Sequence, residues 1–271
     1  MRKGKYVHEG VMGPEIESPA DDIVDEAWDA ETKASRVKLA RKALSSDLNA
    51  IDAYNILGID AETLAERIAL FREAVRIGER LFAPVFDDGD MAWWGFLGTR
   101  PWMRAQHNLG LALMEAGDRE EAMNVFKRLL KLNPNDNQGI RMLLLQLSAE
   151  SGDYGQCKIL FADYPEDAFI EFPATRLLVD IATLKKIKFE DHFTKINDSN
   201  RYLLPLLAAA AMNGKWPRVA RIDMVAWGSK EAAAIYLNQF KTAWMRKPNL
   251  LADFLTAYKG FTRKTPMEKT Q

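Results

Sequence analysis

The strongest constraint on this chain lies between Met103 and Pro134. Leu109-Gly110, Gly117-Asp118, Ala122, Phe126 and Pro134 follow one another there at fixed gaps. The gaps describe two antiparallel helices. A small residue stands where they cross, a Gly-Asp pair makes the turn, a second small residue and an aromatic fill the crossing, and a proline ends the unit. Such a pair cannot bury its apolar faces alone, so one good unit predicts an array of neighbours.

The array extends in both directions. Upstream, Ala53-Tyr54 and Leu57-Gly58 have the composition of another first helix, and Ala40, Ala43 and Leu44 that of a second helix. The spacing predicts one helix pair over 22–46 and another over 50–81. Gly58 and Gly110 lie 52 residues apart, one 34-residue period and about 18 residues more. The excess falls on an insertion at 82–99, rich in Gly, Asp and Trp. Downstream, Gly117-Asp118 and Phe126 recur 35 residues later as Gly152-Asp153 and Phe161. Cys157 takes the place of Ala122, as a small core residue rather than a nucleophile.

Beyond Pro173 the repeat decays into helical patterns over 174–187, 189–197, 200–213, 229–246 and 249–259. Ser229, with Glu231 behind it, reads as a helix cap. Residues 1–20 read as a flexible arm, 21–259 as one domain, and 260–271 as a mobile tail. Within the domain, the repeat core covers about 22–165 and a C-terminal helical cap 173–259. No segment alternates as a strand. The expected fold is all-α, a right-handed helical-repeat solenoid with irregular C-terminal helices.

Composition narrows the function. With 37 basic and 38 acidic residues, the chain lacks the charge of a nucleic-acid binder. A single cysteine and three scattered histidines, His8, His107 and His192, offer no metal-ligand spacing. Asp87-Asp88-x-Asp90 lacks the remaining ligands of a calcium loop. There is no signal peptide, membrane span or phosphate-binding glycine loop. The expectation is a cytoplasmic protein without cofactor or metal.

Two stretches go further: Thr99-Arg100-Pro101-Trp102-Met103-Arg104-Ala105, and Leu132-Asn133-Pro134-Asn135-Asp136-Asn137-Gln138-Gly139-Ile140-Arg141. With Trp94-Gly95 they resemble a microbial family of tetratricopeptide proteins, described as similar to the suppression-of-tumorigenicity protein. Its usual motifs are close to ETRPYMRA and LNPNDNQGIR. Here Gly98 replaces the Glu and Trp102 the Tyr. Weaker likeness continues through Gly228-Ser229, Glu231-Ala232, Tyr236 and Trp244. The resemblance implies a helical-repeat fold and attaches no reaction to it.

In a tetratricopeptide array the first helix of each pair lines a groove. The groove positions fall on Arg104, His107, Asn108, Leu111 and Glu115, then on Gln138, Arg141, Met142 and Leu145, with Arg100 one turn before Arg104. Guanidinium forks suit carboxylates, so the reading is a non-catalytic module that clamps an acidic or carboxylate-terminated segment over an apolar floor of Leu111, Met142 and Leu145. A competing role for Arg100 and Arg141 is to pair with acids such as Asp136 or Glu115 and fix helix packing. Trp93, Trp94 and Trp102 are expected to plug the junction left by the broken period, and Trp216, Trp227 and Trp244 to complete the C-terminal core. The alternatives are a self-associating scaffold, and an enzyme using His107 in a pocket beneath 82–99.

Overall fold

The computed structural model describes residues 18–86, 91, 93–219 and 224–264. Among them are fourteen α-helices and no strand. The all-α helical-repeat fold is therefore as expected. No described helix is long and apolar enough to cross a membrane. The chain divides into two compact units between Arg141 and Met142.

The first unit holds three helix pairs: α1 (Asp21–Asp29) with α2 (Lys33–Ser46), α3 (Ile51–Asp60) with α4 (Leu64–Phe82), and α5 (Arg100–Ala116) with α6 (Arg119–Leu132). Each helix packs on the next, and α3 also touches α1 and α5, so the three first helices lie side by side. The first two pairs share their turn chemistry. Thr32 and Thr63 both cap a second helix, accepting from the backbone N–H of Ser35 and Glu66. The third pair uses the Gly-Asp device: Gly117 turns left-handed at φ 82°, and Asp118 accepts from the Glu121 N–H.

Close crossing depends on the glycines. A Cβ on Gly58 would enter the Phe71 ring, one on Gly110 the Phe126 ring, and one on Gly78 the Trp102 indole. Ion pairs then tie α4 to α6 across the outer surface: Arg72 to Glu121 and Arg128 to Glu79. Ser18 begins the described chain by donating to Asp47 at 2.6 Å, and Ala20 is already buried. The arm expected over 1–20 otherwise lies outside the described residues.

The expected insertion is where the period breaks, and its aromatics form the plug. Phe82, Trp93 and Trp102 are buried, with Phe86 beside them. Trp93 stacks on Phe86 at 5.1 Å and meets Trp102 at 5.1 Å. The Arg128 guanidinium covers Phe86 and Trp102 at 5.3 and 5.2 Å. Trp102 donates its indole N–H to the Val75 carbonyl, and buried Thr99 donates to the Phe96 carbonyl. The acidic run Asp87-Asp88-x-Asp90 lies outside the described residues.

The second unit carries most of α7 (Ile140–Ser151), α8 (Tyr154–Asp163), α9 (Glu171–Thr183), α10 (Phe189–Ser199), α11 (Leu203–Asn213), α12 (Lys230–Gln239), α13 (Lys241–Met245) and α14 (Pro248–Lys264). Gly152 (φ 79°) and Asp153 repeat the Gly-Asp turn, with Asp153 accepting from the Gln156 N–H. Cys157 is fully buried, as expected, and burial pushes its thiol up to about 12. Ser229 caps α12 through the Ala232 N–H.

Four expectations are corrected in this unit. Helix α9 begins at Glu171, because Pro173 sits in its first turn, where no N–H partner is required. The helix expected over 229–246 breaks at Phe240, which lets Phe240 and Trp244 both turn inward. Helix α14 continues to Lys264, because Phe261 extends the buried stripe of Leu250, Phe254 and Tyr258 and meets Phe193 at 5.1 Å. Trp244 is buried and donates to the Tyr236 hydroxyl, but Trp227 lies 63% exposed in the irregular stretch before Gly228.

Candidate interaction surface on the first helices

The expected groove residues lie on α5, on the turn that leads into α7 and on α7 itself; α3 supplies partners to those on α5. Asp52 and Asn55 stand one turn apart on α3; Arg104 and His107 stand one turn apart on α5. The Arg104 guanidinium grips Asp52 with both nitrogens, Nε to Oδ1 at 3.1 Å and a shorter contact from Nη2 to Oδ2. Asp52 also accepts from the Asn55 amide at 2.8 Å, and that amide donates again to the Pro101 carbonyl. Asn55 is wholly buried, so this network fastens α3 to the start of α5.

Asp136 organises the second cluster. It is the one non-glycine with positive φ among the described residues, at 50°, followed by Gly139 at 72°. Its carboxylate accepts from the Ile140 N–H at 2.7 Å, the Arg141 N–H at 3.1 Å and Arg141 Nη1 at 2.8 Å. It therefore caps α7 while fixing Arg141. Gln138 donates its amide to the Met103 carbonyl at 3.1 Å, which binds this turn to α5.

The arginines thus serve packing first. Arg141 pairs with Asp136, as the competing reading anticipated, and Glu115 pairs with Arg67 instead. Arg100 lies over Trp94 at 5.1 Å and donates to its carbonyl at 3.0 Å. His107 is half-buried, edge-on to Phe126 at 6.5 Å. Burial holds its pKa below the ordinary value, with Asp136 pulling the other way. Asn108 is also half-buried.

Met142 and Leu145 belong to the second unit. Leu145 is fully buried, which corrects its expected place in a groove floor. It occurs 35 residues after Gly110, so it takes the crossing position of its helix and faces inward.

Two apolar residues join Leu111 that the sequence reading did not single out. Trp28, Ile59 and Leu111 are 38%, 51% and 39% exposed. Each follows a buried small residue: Ala27, Gly58 and Gly110. They lie on α1, α3 and α5 respectively. The recurrence of a large apolar residue directly after a small one was the available signal.

Residues 103–136 match the tetratricopeptide repeat family. No curated protein matches the chain. The repeat covers α5, α6 and the turn through Asp136, so the first-helix assignment of Arg104, His107, Asn108 and Leu111 rests on it directly. Repeats of this kind serve generally in protein interaction. Among the described residues, no group of His, Cys, Asp or Glu is arranged to hold a metal.

Proposed function

We propose that the chain is a non-catalytic protein-interaction module, and that its first unit binds an apolar-rich segment of a partner protein along α1, α3 and α5. The observation that carries this reading is the row of Trp28, Ile59 and Leu111, one exposed large apolar residue directly after a buried small one on each of three adjacent first helices. Exposed apolar side chains in register concentrate binding energy when water is expelled from them. The charges beside the row are matched internally, Arg104 with Asp52 and Arg67 with Glu115. A carboxylate clamp needs forks open to a ligand, so the occupant is better described as apolar than as acidic. Asn108 and the exposed edge of Arg104 supply polar contacts that fix its direction.

The motifs at 99–105 and 132–141 support membership of the microbial tetratricopeptide group named above. An enzymatic role for His107 gains little: Asp136, the carboxylate that acts on it electrostatically, already accepts three hydrogen bonds within its own turn.

Panning a random peptide library on the full chain tests the proposal. Peptides rich in Leu, Ile, Phe or Met should enrich on the wild type and fail to enrich on an Ile59→Asp/Leu111→Asp variant that keeps its helical circular dichroism. Recovery of the same peptides on both proteins would overturn it. Enrichment of acidic peptides that depend on Arg104 would favour the clamp instead.

A further inference from the structure

The second unit carries a cleft that the interaction surface does not use. It is a shallow cleft between α8 and α9, open to solvent, of about 230 Å³, lined by Lys158, Phe161, Ala162, Arg176 and Asp180. Arg176 is held flat: its guanidinium lies 4.5 Å over the Phe161 ring and donates to the Phe161 carbonyl at 3.4 Å. Neither contact neutralises its charge. Among the described residues, neither Arg176 nor Lys158 has an ion-pair partner. Asp180 is the acid of the cleft, and its Oδ2 accepts from His192 Nε2 at 3.0 Å.

We infer that this cleft binds a small molecule carrying an oxyanion, phosphate or carboxylate, with a hydroxyl or ammonium group beside it. A guanidinium held flat by an aromatic face presents its remaining N–H groups as a fork, which matches two oxygens of one anion. Lys158 adds a point charge on the opposite element. Asp180 keeps one oxygen for a donor on the ligand, because His192 engages the other. Ala162 leaves a short apolar wall. The volume of about 230 Å³ is on the scale of a phosphorylated or carboxylated small molecule.

The experiment titrates the full chain with inorganic phosphate, acetate and O-phosphoserine, following backbone amides by NMR at constant ionic strength. Saturable shifts confined to residues around 158–162 and 176–180 are expected, strongest with O-phosphoserine. Arg176→Gln should abolish them and Lys158→Gln should weaken binding about twofold to fivefold. Lys38→Gln removes one charge from α2 of the other unit and should leave binding unchanged. Because Lys158 is exposed, its variant keeps the fold even where Arg176→Gln does not. A response to acetate alone assigns the carboxylate class, and one to phosphate alone the phosphate class. The inference is overturned if no probe saturates, or if Lys38→Gln weakens binding as much as Lys158→Gln.

Discussion

Gly110 is the clearest case of one residue setting a distance. Its missing Cβ is the space the Phe126 ring fills, and both residues are buried. Gly110→Ala gains helix propensity worth about 1 kcal/mol, but it drives a methyl group into a fully buried ring. Overpacking of this kind costs about 1–3 kcal/mol, so the variant should be less stable in urea. Adding Phe126→Leu to Gly110→Ala should recover part of the loss; a more stable single variant would show that α5 and α6 can separate freely. The small residues at these crossings were legible because they recur with the period. The arginine pairings were not. Asp52 lies 52 residues from Arg104, and no local pattern announces that a fork will close on an acid so distant in sequence.

At the scale of the helix, punctuation was the most readable part of the chain. Gly-Asp means a left-handed residue followed by a side chain that meets the first free N–H groups, and both copies form as expected. Asp118→Ala should therefore cost about 1 kcal/mol of stability by urea unfolding, while Asp118→Asn stays near the wild type. Equal losses in both variants would point to the charge at the helix start rather than the cap. Helix ends without such marks were misplaced. Pro173 suggests a boundary, although a proline is equally at home in a first turn. Phe261 falls within the expected tail, although it continues a stripe at helical spacing. Counting from a first helix puts Leu145 on a surface, whereas the 35-residue offset from Gly110 matches its buried position.

Across the whole molecule, two histidines give stability a pH dependence. Burial lowers the pKa of His107 and of His192 from the ordinary 6.5. Asp136 faces His107; Asp180, Lys195 and Arg176 face His192, and there burial and the two cations outweigh the carboxylate. Between the folded value and 6.5, the unfolded chain binds protons that the folded chain refuses. Their contribution is thus complete above 6.5 and is lost as pH falls from there through the folded value. Asp60 and Glu73, held low by Arg36 and Arg76, titrate below this window. The urea-unfolding free energy should fall between about pH 7.5 and 5.5, and a His107→Gln/His192→Gln variant should flatten that fall. An undiminished fall in the double variant would assign the effect elsewhere.

A repeat array is a one-dimensional lattice, and the break before α5 is its stacking fault. A fault in a lattice normally exposes two unmatched faces. Here Phe82, Phe86, Trp93 and Trp102 cover them, and the lattice resumes in phase: Gly110 meets Phe126 on the far side as Gly58 meets Phe71 on the near side. The fault is healed between Phe82 and Trp102, before the crossing of α5 with α6. Length changes at that point are therefore quarantined from the helices that carry Ile59 and Leu111, and the register of the row is protected from them.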